Sequence, residues 1–205
     1  MNGLPQIRDI GINDYIDEIN KSIDNKNYLS ALSLTLMIPD MCSKVIGLNK
    51  KSGYVKWFNK YVYRNYYDIP KKKQIKKADK RVTNTLRIKF NGNTCYALRC
   101  SILHSGNSYV EFENKKDKIK ANIDRIELCV NGNSDRENQY GESVSIVSSN
   151  YDEKKDVRIR INIVNFADTM IKGYKDFLEE IGQDDILLFP MIDWDKKGQI
   201  IFTPK

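Results

Sequence analysis

The chain has 205 residues, 40% of them hydrophobic and 10% aromatic, which is enough for one substantial core or two small ones. No apolar run is long enough to cross a bilayer and the opening MNGLPQIRDIG lacks a signal-peptide hydrophobic region, so a cytoplasmic protein with no membrane partner is expected. The net charge of +7 is concentrated: residues 51–82 carry eleven Lys and Arg against Asp68 and Asp79, a local +9, and the rest of the chain nets −2. A clustered cation excess suits a polyanion such as RNA.

Ile12, Tyr15, Ile16, Ile19 and Ile23 are spaced for a short amphipathic helix. After a turn at 25–27, Leu29, Leu32, Leu36 and Met37 predict a second helix over 28–46. Pro39 is expected to interrupt it and to leave Asp40 beside a fresh helical N-terminus, where an acid is favoured. A third helix is expected over 52–67, capped by Ser52. Tyr54, Trp57, Phe58 and Tyr61 make its core face, while Lys56, Lys60 and Arg64 repeat every four residues on another. Interleaved aromatic and basic residues can stack bases and hold phosphates, and the same pattern suits a packed helix with a wet face. DIPKKKQIKKADKR, residues 68–81, then reads as an exposed loop. Its Lys71, Lys72, Lys73, Lys76, Lys77, Lys80 and Arg81 would gather a nucleic acid, or simply be solvated. Residues 82–90 alternate weakly, as a strand or a lead-in.

GNTCYALRCSILHSGN, residues 92–107, predicts a helix capped by Asn93 and stopped by Gly106. Cys95, Ile102, Arg99, Leu103 and Tyr96 fall across one face with Arg99 at its centre, and Thr94, Ser101 and Ser105 form the polar stripe. A guanidinium cannot shed its proton, so on a buried face Arg99 must pair with an acid or hold an anion from outside. Asp40 is its first candidate partner, with Asp17 and Glu18 as alternatives. His104, the chain's only histidine, lies about 140° from Arg99 on a regular helix.

Beyond residue 107 the pattern becomes extended, with strands expected at 109–113, 123–130, 144–148 and 157–164. Arg158, Arg160 and Asn162 alternate with Ile159, Ile161 and Ile163, which implies a sheet with one wet face. Residues 131–142 read as a polar loop. Phe166, Met170, Tyr174, Phe177 and Leu178 point inward from a last helix over 165–181, and 186–202 reads as a hairpin turning around Asp195 to Gly198. The expected fold class is α+β: a helical bundle subdomain over 1–107, packed with a β-rich subdomain over 108–205 that holds an antiparallel sheet and one helix.

One histidine and no Cys-x-x-Cys pair leave only Asp184-Asp185 and Asp193-x-Asp195 as metal candidates, and both read as turn residues. No metal and no cofactor is therefore expected. Cys42, Cys95, Cys100 and Cys129 lie in apolar surroundings and read as reduced core residues. The glycines are scattered and form no phosphate loop, and Ser101 and Cys100 lack a strand-turn-helix elbow. Arg99 and His104 remain. Metal-independent RNA cleavage needs a proton-moving group at the ribose 2′-hydroxyl or leaving oxygen and a fixed cation for the phosphorane, and these two side chains fit those jobs.

Arg99-Cys-Ser-Ile-Leu-His104 resembles the Arg-x4-6-His motif of the HEPN superfamily, helical-bundle proteins that include many metal-independent RNases of toxin and phage-defence systems. The resemblance implies a homodimer in which two motif copies form one site, with Arg99 stabilising the transition-state phosphate and His104 acting as acid or base. The residue after the motif arginine, usually Asn, Asp or His, is Cys100 here. Wider stretches, LMIPDMCSKV from Leu36, YVKWF from Tyr54 and CYALRCSILHSG from Cys95, resemble a group of uncharacterised bacterial proteins of similar length. Two functional expectations follow. One is a HEPN-like RNase or RNA-binding protein of a defence or mobile-element system. The other is a non-catalytic module that binds an unidentified protein partner and locks Arg99 in a buried salt bridge with Asp40.

Overall fold

The computed structural model describes residues 5–67, 90–106, 125–130, 144–151 and 154–197. Strand β1 (Pro5–Gly11) leads without a gap into helix α1 (Ile12–Asp24). The turn between them depends on two carboxylates. Asp14 accepts from the Gly11 N–H at 2.8 Å, while Asp185, far away in sequence, accepts from the Asn13 N–H at 3.1 Å and the Tyr174 hydroxyl at 2.9 Å. Gly11 leaves room for Asp185, since a Cβ there would come within 1.9 Å of its Oδ2.

Helix α2 (Tyr28–Val45) is buried on most sides. It runs through Pro39 without ending, so Asp40 stands in the helix interior and not at a new N-terminus. Proline removes only its own N–H, and the packing of Leu32, Leu36, Ile38 and Cys42 into the core holds the helix together across that gap. Leu29, expected on the apolar side, is 66% exposed because it sits in the first turn, before α2 enters the core.

Helix α3 (Lys50–Trp57) starts after Asn49, three residues before the expected Ser52 cap, and continues as a π-helix over Phe58–Tyr67. Tyr54, Trp57, Phe58 and Tyr61 enter the core as expected. The wider winding spoils the four-residue repeat of Lys56, Lys60 and Arg64, and Lys60 pairs with Glu180 instead of joining a basic stripe.

Helix α4 (Gly92–Cys100) is capped by Asn91, whose side chain accepts from the Asn93 and Thr94 N–H groups. Asn93, the expected cap, is already inside the helix. Gly92 is the contact point with α3: its N–H donates to Asn59 Oδ1 at 2.8 Å, and a Cβ would lie 2.6 Å from the Val55 carbonyl oxygen. The chain then winds as a π-helix over Ser101–Ser105 and stops at Gly106 with φ of 62°.

The mixed sheet has strand order β2 (Arg125–Cys129), β4 (Lys154–Asn162), β3 (Val144–Tyr151). It is not purely antiparallel, because β2 runs parallel to β4 while β3 runs antiparallel to it. Ile126 and Ile161 are buried in the core, and Glu127 pairs with Arg160 on the wetter face. Strand β4 passes directly into helix α5 (Ile163–Ile181), capped by Asn162 and ended by Gly182 in the left-handed conformation. Phe166, Met170, Tyr174 and Phe177 of α5 pack with α2 and the π-helical continuation of α3. A helix from the second half of the chain thus belongs to the same core as the N-terminal helices. Strand β5 (Leu187–Lys197) pairs antiparallel with β1 and continues past Asp195, where a hairpin turn was expected.

The fold is therefore α+β. The expectations for 68–81, 109–113 and 131–142, and most of that for 82–90, lie outside the described residues. Among the described residues no single helix is long and apolar enough to cross a membrane.

Because the α3–α4 contact is made at backbone, Gly92→Ala should cost about 1–3 kcal/mol of unfolding free energy by overpacking. Urea denaturation measures this, and an unchanged midpoint would mean that α4 can move off Val55 freely.

Candidate functional site

The buried side of α4 keeps Cys95 of the expected face but takes in Thr94 and Ser101, which were expected on the polar stripe. Thr94, Cys95, Ala97, Leu98 and Ser101 are buried, and Arg99 with Tyr96 lies on a half-exposed side. The small hydroxyl residues are tolerated inside because they find local partners: Ser101 Oγ donates to the Ala97 carbonyl at 3.0 Å.

Arg99 reaches α2. Its Nε donates to Asp40 Oδ2 at 3.0 Å, with the two side chains 21% and 24% exposed, so the pair is partly screened by water. Asp17 is exposed, and Glu18 pairs with Lys21. Burial works against the charged guanidinium, but Asp40 together with Cys100 and Tyr96 outweighs it and holds Arg99 above its ordinary pKa. Arg99 stays cationic throughout the working pH range.

Its Nη1 lies 2.9 Å from His104 Nε2. A regular α-helix would put these residues on different sides. The π-helical turn at Ser101–Ser105 changes the period towards five residues, which swings His104 to the Arg99 side. A guanidinium only donates, so in this geometry the imidazole accepts at Nε2 and is neutral, with its proton on Nδ1. His104 is exposed, at the last turn before Gly106. The resulting row of Asp40, Arg99 and His104 joins a carboxylate, a fixed cation and an imidazole, and its imidazole end meets solvent.

Below the row, Tyr54 is fully buried with its hydroxyl 3.3 Å from Cys95 Sγ, and its ring meets Tyr96 edge to face at 5.3 Å. Burial, reinforced by Cys95 and Asp40, pushes the Tyr54 hydroxyl well above its ordinary pKa, and burial pushes the Cys95 thiol up to about 12. Burial raises Cys42 as well. Neither thiol is a nucleophile near neutral pH. Among the described residues no group of three or more His, Cys, Asp or Glu converges as a metal site.

The sequence pattern singled out Arg99, His104 and Asp40, and the fold brings all three together. Lys71, Lys72, Lys73, Lys76, Lys77, Lys80 and Arg81 lie outside the described residues. Tyr96 and Lys51 were not singled out. The i, i+3 spacing of Tyr96 and Arg99 was the available signal for the first, and Lys51 carried none. No family model, curated protein or solved structure matches the chain.

At pH 8, Cys42 and Cys95 should resist a thiol-reactive disulfide reagent until the protein is unfolded, whereas half-exposed Cys100 should react in the native state. Prompt reaction of Cys42 and Cys95 would mean that the junction of α2, α3 and α4 opens.

Proposed function

We propose that this chain is a HEPN-like, metal-independent endoribonuclease, acting as a homodimer in the cytoplasm with Arg99 and His104 at the reacting phosphate. The observation that carries the reading is the 2.9 Å contact between Arg99 Nη1 and an exposed His104 Nε2, which puts a permanent cation and a proton acceptor at one solvent-facing point. In the reaction His104 takes the proton of a ribose 2′-hydroxyl. The 2′-oxygen bonds to phosphorus, and the 5′-oxygen leaves with a proton from the second His104 of the dimer, which enters the step as the imidazolium, released from its own Arg99, and ends it neutral. The products are a 2′,3′-cyclic phosphate and a 5′-hydroxyl. Arg99 turns its Nη groups from the imidazole to the phosphorane oxygens, which frees Nε2 to act as base. Asp40 holds Nε throughout and fixes the plane of the fork. Lys71 to Arg81 would gather the RNA, and the local +9 charge supports that role.

A second reading rests on the Arg99–Asp40 pair. There the row is a folding device, and the chain is a non-catalytic module for a protein partner.

Incubating the purified chain with single-stranded RNA and a metal chelator tests the first reading. Cleavage to cyclic-phosphate ends is expected, and His104→Ala should reduce it at least about 100-fold with an unchanged melting temperature. Full activity in His104→Ala, or none in the wild type, would rule it out. Arg99→Met should cost about 1.5–3 kcal/mol of stability, since it strips a charged hydrogen bond from a mostly buried carboxylate. Such a loss in a protein without nuclease activity would favour the second reading.

A further inference from the structure

Tyr96 brings a second cation to the row. Its ring has Arg99 Cζ 5.9 Å from the centroid and Lys51 Nζ 5.8 Å from it, so the two charges stand within about 12 Å of one another around a single aromatic side chain. Like charges at that range repel, and the negative face of the ring offsets the repulsion. The ring is itself held from below by buried Tyr54.

Lys51 follows a sharply turned piece of backbone. Lys50 has φ of 62°, in the left-handed region that a lysine rarely adopts, and the chain turns sharply there into α3. The turn packs closely, since a Cβ on Gly53 would lie 2.8 Å from the Leu48 carbonyl oxygen. The turn thus fixes where α3 begins and with it the position of half-buried Lys51 in its first turn. Exposed Lys44, in the last turn of α2, and Lys50, in the first of α3, flank the same turn, whereas Lys56 lies at the far end of α3.

We infer that Lys51 and Tyr96 form a phosphate-anchoring subsite next to Arg99 and His104, in which Lys51 holds the phosphate adjacent to the scissile one and Tyr96 sets the spacing of the two cations. The inference rests on the nuclease reading and adds substrate-positioning residues to it. One anchored phosphate beside the reacting one limits rotation of the intervening nucleotide, which orients its 2′-oxygen.

The test uses the full chain with His104→Ala, which should bind RNA without cutting it, and a fluorescein-labelled single-stranded oligoribonucleotide followed by anisotropy across a salt series. Adding Lys51→Gln should weaken binding several-fold and reduce the slope of log affinity against log salt by about 0.7, the value for one phosphate contact on a single strand. Lys51→Arg should restore both, and Tyr96→Leu should reproduce much of the loss. In the cleaving protein Lys51→Gln should raise KM more than it lowers kcat. Melting temperatures check that each variant is folded, and Lys56→Gln serves as the control for a general charge effect. Binding and cleavage that persist with an unchanged salt slope in Lys51→Gln, or a loss equalled by Lys56→Gln, would overturn the subsite alone. A wild type that neither cuts RNA nor, as His104→Ala, binds it would overturn the nuclease reading and the subsite together.

Discussion

A guanidinium that cannot be neutralised stands where α2, α3 and α4 meet, and the local structure answers its need for partners. Asp40 takes Nε, His104 accepts from Nη1, and the Tyr96 ring lies beside the cation. Removing the charge would leave a carboxylate on α2 with little water to solvate it. Keeping the charge ties α4 to a helix with which it shares few other contacts. The pair is therefore a tether between α2 and α4.

The geometry depends on two irregularities of backbone winding. In an α-helix Arg99 and His104 would diverge. The π-helical turn after Cys100 brings them together and ends at Gly106, so the imidazole reaches solvent at the tip of the element. Continuation of α3 as a π-helix likewise redirects Lys60, which meets Glu180. Such segments are rare and give up regular hydrogen-bond geometry, which is tolerated when the side chains they aim are used.

The rest of the fold keeps this junction in place. Asp185 secures the start of α1 and the Tyr174 hydroxyl of α5, and β1 pairs with β5, so both ends of the described chain close onto the helical core. Aromatic contacts of Trp57, Tyr61 and Phe177 fix α5 against the continuation of α3. These contacts bind α5 to the same core that carries α2 and α3.

Local pattern was enough for much of this. Apolar spacing located α1, α2 and α5, alternation located β4, and the need of Arg99 for an acid led to Asp40, although Asp40 stands inside α2 and not at the helical N-terminus for which it was chosen. Other features depend on groups distant in sequence. The pairing of β1 with β5, the parallel run of β2 beside β4 and the passage of α2 through Pro39 are decided by what packs across them. The buried side of α4 could not be read from polarity, since Ser101 satisfies its hydroxyl within its own turn and can lie in the core. The approach of His104 to Arg99 was hidden for a related reason: sequence periodicity assumes one winding, and only tertiary packing selects the wider one.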